Sequence, residues 1–152
     1  MAHPGRYLYA VIDEPAGRSF GPIGLDGADV YTVPDGPVAA VVSDVPDRKV
    51  RPERRKLAAH HGVLKRLMGE RTVLPMAFGL IAGGPDAVRG ILARNREAFA
   101  AQLARFRGHA EMGLKVTWNV PGVVDYFVRT EPDLRALRDR VFHAPAPLGP
   151  KA

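Results

Sequence analysis

The chain has 152 residues, 46% of them hydrophobic, with 22 Lys/Arg against 16 Asp/Glu, a net charge of +6 and a sequence pI of about 10.1. That length suits one folded domain with a short tail, and that apolar share excludes wholesale disorder. Absence of cysteine excludes disulfides, thiolate chemistry and Cys-based zinc sites, and no apolar run is long enough to span a bilayer.

Charge is unevenly spread. Residues 1–47 hold two Arg and seven Asp/Glu, a balance of −5; residues 48–71 hold nine Lys/Arg and two Glu, +7; residues 72–152 hold eleven Lys/Arg and seven Asp/Glu, +4. Such polarity favours an acidic partner surface, or weak head-to-tail self-association.

Tyr7–Asp13 mixes aromatic and aliphatic residues and predicts a strand. Met1–Arg6 ahead of it lacks the features of a signal peptide, so a cytoplasmic location is expected. Pro15–Gly27 is rich in Gly and Pro and predicts a loop. Asp29–Val33 and Val38–Val42, joined across the Asp35-Gly36 turn signal, predict an antiparallel hairpin. A helix is expected from Pro52 to about Met68, with Leu57, Leu64 and Met68 on one face and Gly69 as its stop. Val73–Ile81 is apolar on both faces and predicts a central strand. Gly83-Gly84-Pro85 opens a long helix whose Val88, Ile91, Leu92, Phe99, Leu103 and Phe106 keep three-four spacing, ended by Gly108. Glu111–Trp118 predicts a last strand, with Trp118 packed on the sheet. Thr130-Glu131-Pro132-Asp133 resembles a capping box ahead of a short helix with Leu134, Leu137 and Val141. Residues 144–152, rich in Pro and Gly, are expected to be a tail, leaving one domain over 1–143.

Mixed hairpins and crossovers imply α+β, a mostly antiparallel sheet with helices packed on one face, in a modified ferredoxin-like arrangement.

Few residues suggest chemistry. Adjacent histidines on a helix diverge by about 100°, so His60 and His61 do not readily share a metal ion, whose helical ligands normally stand four apart. A boundary histidine bonded to a strand or loop is the expected role. An acid or base role for His60 or His61 in a small ferredoxin-like enzyme is the alternative. The run Arg48-Lys49-Val50-Arg51-Pro52-Glu53-Arg54-Arg55-Lys56 could hold phosphates, but no aromatic for base stacking lies near it and no nucleic-acid motif accompanies it. A solvated helix start, or contact with an acidic protein, fits better; cations at a helix N-terminus oppose the macrodipole, which favours a partner over the helix itself. The expected contact residues are Arg51, Arg54, Arg55, Lys56 and His60. Gly21–Gly27 is neither a Walker loop nor a dinucleotide fingerprint. Ser19 and Ser43 lack a nucleophile elbow, and Asn95 is expected to satisfy its amide locally. No catalytic, metal or cofactor residue is expected.

Several segments occur together in a recognisable order: Tyr7-Leu8-Tyr9-Ala10, Gly36-Pro37-Val38-Ala39-Ala40-Val41-Val42-Ser43, Leu57-Ala58-Ala59-His60, Val73-Leu74-Pro75-Met76-Ala77-Phe78-Gly79 and Glu111-Met112-Gly113-Leu114-Lys115-Val116. From Tyr7 to Arg140 the chain resembles the N-terminal domain of the gas vesicle GvpF/GvpL family, most sharply in the Leu-Pro-x-x-Phe-Gly strand. The resemblance implies an accessory protein of gas vesicle formation, without catalysis or cofactor, that binds the small shell protein GvpA or other vesicle proteins. It departs from the family pattern at Ala77, where Arg is usual, and the sequence ends at Ala152, where the family's second α+β domain would begin.

Overall fold

The computed structural model describes residues 4–46, 49–109 and 112–142. The chain divides into two compact units, Met1–Glu111 and Met112–Ala152. The expected domain end at residue 143 and the tail at 144–152 lie outside the described residues.

The first unit is built on two eight-residue strands, β1 (Gly5–Ile12) and β4 (Val38–Val45), paired antiparallel along their length. Both are almost wholly Tyr, Leu, Ile, Val and Ala, residues that suit a pleated surface covered on both sides. β3 (Val30–Asp35) pairs with β4 through the predicted hairpin, whose Gly36 takes a φ of 63°. β2 (Ser19–Gly21) forms inside the stretch expected to be loop, because Ser19 and Gly21 pair with β3.

The predicted central strand at residues 73–81 is instead a divided edge. β5 (Val73–Pro75) pairs with the end of β1 and β6 (Ile81–Ala82) with its start. Between them Met76–Leu80 leaves the ladder, tethered by Met76 N–H to Tyr9 O and by Leu8 N–H to Leu80 O, each at 2.9 Å. Pro75 has no N–H for a further neighbour, so an edge position suits it. The order is β2-β3-β4-β1-β5, with β6 also on β1, and every pairing is antiparallel.

Helices cover both faces of this sheet, not one as expected. α1 (Arg54–Met68) sends Val63 and Leu67 into a core with Tyr7, Tyr9, Ile12, Val30 and Val41. α2 (Pro85–Phe106) sends Val88, Leu92 and Leu103 into a second core with Leu8, Val11, Val38 and Val42. The reason lies in β1 and β4: alternation in an apolar strand leaves two greasy faces, and each needs a cover. Asn95 donates to Ile91 O at 2.9 Å, as expected of a locally satisfied amide.

In the second unit the predicted strand at 111–118 does not form over its described residues, 112–118. Met112, Leu114, Val116 and Trp118 alternate as a strand would, yet they are exposed and residues 112–119 have no ladder partner among the described residues. Alternation makes a strand only when another strand takes its N–H and C=O groups. Two helices follow, α3 (Val123–Thr130), which was not expected, and α4 (Pro132–Phe142). Thr130 does not cap α4 as expected; its hydroxyl donates to Tyr126 O at 2.9 Å, bonding back into α3. The Trp118 ring lies 6.0 Å from that of Phe127.

Candidate functional site

Helix α1 carries the histidines that the sequence singled out and the end of the basic run, Arg54, Arg55 and Lys56. The histidines separate sharply. His60 is 2% exposed, while His61 faces solvent. The His60 ring stacks at 5.6 Å on Tyr9 and meets Tyr7 and Phe78 edge-on, each at 5.7 Å.

A small polar network runs through this aromatic cluster. The Tyr7 hydroxyl accepts from the Gly79 N–H at 3.1 Å, so its own proton is available to His60 Nδ1 at 2.9 Å. Together with burial, which disfavours the charged ring, this fits a neutral imidazole with Nδ1 as acceptor. Burial pushes the His60 imidazole below its ordinary 6.5, the neighbouring His61 adds to the fall, and a hydrogen bond to the Met76 backbone opposes it. Burial pushes both Tyr7 and Tyr9 up. The Tyr9 hydroxyl accepts from Leu25 N–H at 2.9 Å and shares a hydrogen bond with Ser43 Oγ at 3.1 Å. Gly24 passes so close that a Cβ there would fall 2.6 Å from both Ser43 Oγ and the Tyr9 hydroxyl. Glycine is required by that approach.

The Leu74–Gly79 motif thus has a visible purpose. Its Phe78 ring closes over His60 and Tyr7, and Gly79, at a φ of 92°, turns its N–H onto Tyr7. Ala77 is exposed, so the residue in which the chain departs from the family pattern points away from this core. The arrangement locks α1, β1 and the 76–80 excursion together. With its ring enclosed, His60 has no open route to a substrate, and no group of three His, Cys, Asp or Glu among the described residues is placed to hold a metal ion.

The basic residues divide as well. Arg48 lies outside the described residues. Arg51 and Arg54 are exposed and pair with no acid among the described residues. Arg55 reaches Asp26 at 2.7 Å, yet its side chain stays 80% exposed. Lys56 is largely covered and lies 3.1 Å from Glu53 and 4.0 Å from Asp26. Beside them a cleft of about 580 Å³ is lined by charges of both signs, among them Asp26, Asp44, Lys49, Arg51 and Glu53. His61, Lys65 and Arg66, which are not among the contacts expected from sequence, are exposed further along α1. Plotting the solvent side of the helix, and not only its apolar stripe, would have found them.

Residues 5–150 match the family described as gas vesicle synthesis protein GvpL/GvpF. Gas vesicle protein F of Streptomyces sp. (strain CB03234) is 34% identical over 122 residues, covering 80% of this chain and 51% of that protein. Gas vesicle protein F2 of Halobacterium salinarum is 33% identical over 122 residues, covering 76% and 55%. The chain therefore spans about half the length of these relatives. The crystal structure of GvpF from Anabaena sp. PCC7120 superposes with a TM-score of 0.70 at 26% identity, over 91% of this chain and 58% of that one. GvpF from Microcystis aeruginosa superposes with a TM-score of 0.73 at 24% identity, over 91% and 59%, which speaks for the shared fold.

Proposed function

The chain belongs to the gas vesicle GvpL/GvpF family, and from that membership we propose that it serves gas vesicle formation as an accessory protein that binds the shell protein GvpA or another vesicle protein. The match over residues 5–150 carries this reading. We read the chain as a binding protein and not an enzyme. Its buried histidine is committed to Tyr7 and its most concentrated charge lies on an open helix surface, which suits docking better than catalysis. Arg51, Arg54, Arg55 and Lys56 are the proposed contacts; His60, also expected among them from sequence, is 2% exposed and bonded to Tyr7, so it is withdrawn as a contact and holds the helix from beneath.

The test is co-purification of the chain with GvpA from the same source at about 150 mM salt, which screens diffuse charge attraction. Stable capture, lost when Arg54, Arg55 and Lys56 are all changed to Glu in a protein that still folds, supports the reading. Failure of the folded wild-type chain to capture GvpA overturns GvpA as the partner.

A further inference from the structure

The outward side of α1 has an order of its own. With Arg54 as origin and steps of about 100° per residue, His61 and Lys65 fall within about 20° of it, while Arg55 and Arg66 fall near 100° and 120°. Ala58 and Gly62, near 40° and 80°, lie between these two basic rows. His60, Val63 and Leu67, the buried residues of the helix, cluster on the opposite side. All seven outward residues are exposed. The surface is a shallow strip of small residues flanked on both sides by cations.

Among the described residues the protein's own contacts account for one cation of this strip, Arg55, which meets Asp26 at 2.7 Å, and for no other. From Arg54 to Met68 the helix has no Asp or Glu, whereas exposed helices ordinarily mix both signs. Its first turn is basic, against the helix dipole. Arg54, Lys65 and Arg66 pair with no acid among the described residues. Gly62 weakens a helix interior relative to alanine, yet a Cβ there would meet nothing within 4 Å, so the packing does not ask for glycine. Local rules broken without internal compensation point outward.

We propose that this face docks an acidic helix of a partner protein, laid over Ala58 and Gly62 with carboxylates on both of its flanks. The inference rests on the reading that the chain binds another vesicle protein, and it names the chemistry of the bound surface. Small residues let a second helix axis approach closely. Two cation rows then match acids on either side of its contact ridge, over about three turns, or about 18 Å. Nucleic acid fits less well, since α1 carries no Phe, Tyr or Trp for bases to stack on and a phosphate chain makes no use of the small strip.

The absence of cysteine makes the face addressable. Gly62→Cys, and separately Ala101→Cys on the exposed side of α2, each carry one benzophenone photoprobe in cells making the vesicle proteins of the same source. The expected result is an adduct from position 62, and not from position 101, whose cross-linked peptide is an acidic helical segment of a vesicle protein. No adduct at 62, equal labelling from both positions, a nucleic-acid adduct or a peptide without acidic residues overturns the proposal. A second variant keeps it separable from the function proposed above. Gly62→Leu is expected to fold at least as well as wild type and to weaken capture of the adducted protein by about tenfold or more, the loss seen when a contact at the centre of an interface is spoiled. If position 62 labels GvpA and GvpA is captured equally by wild type and Gly62→Leu, the docking face falls while GvpA binding stands. If GvpA is not captured but position 62 labels an acidic helix of a different vesicle protein, GvpA falls while the docking face stands.

Discussion

The two units handle their apolar residues in opposite ways. In the first, β1 and β4 are buried on both faces and α1 and α2 each close one side. In the second, α3 and α4 have amphipathic sequences, yet neither contains a buried residue, and Val124, Leu137, Val141 and Phe142 stand exposed. The same periodicity is present in both. Amphipathic spacing states which side of an element needs covering; it does not supply the cover.

The comparison is broken or sharpened most strongly by a pair of truncations. Leu92→Ala removes a fully buried side chain and is expected to cost about 2–5 kcal/mol, whereas Leu137→Ala removes one that is 48% exposed and is expected to cost about 0.5 kcal/mol or less. Urea unfolding of both variants decides it, and equal losses would erase the distinction between the units.

Acid should act on the first unit selectively. In the folded state the His60 pKa is held below the unfolded 6.5. As pH falls through 6.5, the unfolded chain takes up a proton that the folded chain still refuses, so stability declines until the folded pKa is passed. The slope cannot exceed one proton, about 1.4 kcal/mol per pH unit. Near-ultraviolet dichroism of buried Tyr7 and Tyr9 reports the first unit, and fluorescence of Trp118 reports the second. The tyrosine signal is expected to melt earlier at pH 5 than at pH 7.5 in wild type, and His60→Gln should flatten that dependence.

The smallest effect concerns α1 alone. Gly62→Ala should raise stability by about 0.5–1 kcal/mol, since the helix gains propensity and the added methyl meets nothing. A loss of stability would show that the glycine serves the first unit's own packing.

Much of this fold was legible in the sequence, and the failures share a cause. β1, the β3–β4 hairpin, α1 and α2 announce themselves through local pattern and turn residues. The covering of both faces by α1 and α2 was not legible, because apolar runs such as Val38–Val42 do not say where their covers come from in the chain. The division of residues 73–82 into two edge strands depends on Tyr7 drawing Gly79 out of the ladder, a contact across 72 positions. Residues 112–118 carry strand alternation without a ladder, and pairing is a property of two segments. At the candidate site, local sequence gave the basic start of α1. Which of its histidines is enclosed depends on Tyr9 and Phe78, which come from other elements.

The edges of the sheet carry one further consequence. Its long strands lie inside, while β2 has three residues, β5 three and β6 two. Pro34 interrupts the donor row of β3 on its outer side, and Pro75 does the same on β5. Open edges of long, regular, apolar strands recruit further strands and seed aggregation, and short edges broken by proline discourage it. Two strongly apolar strands can therefore lie at the centre of this protein without offering a neighbouring molecule a template on which to grow.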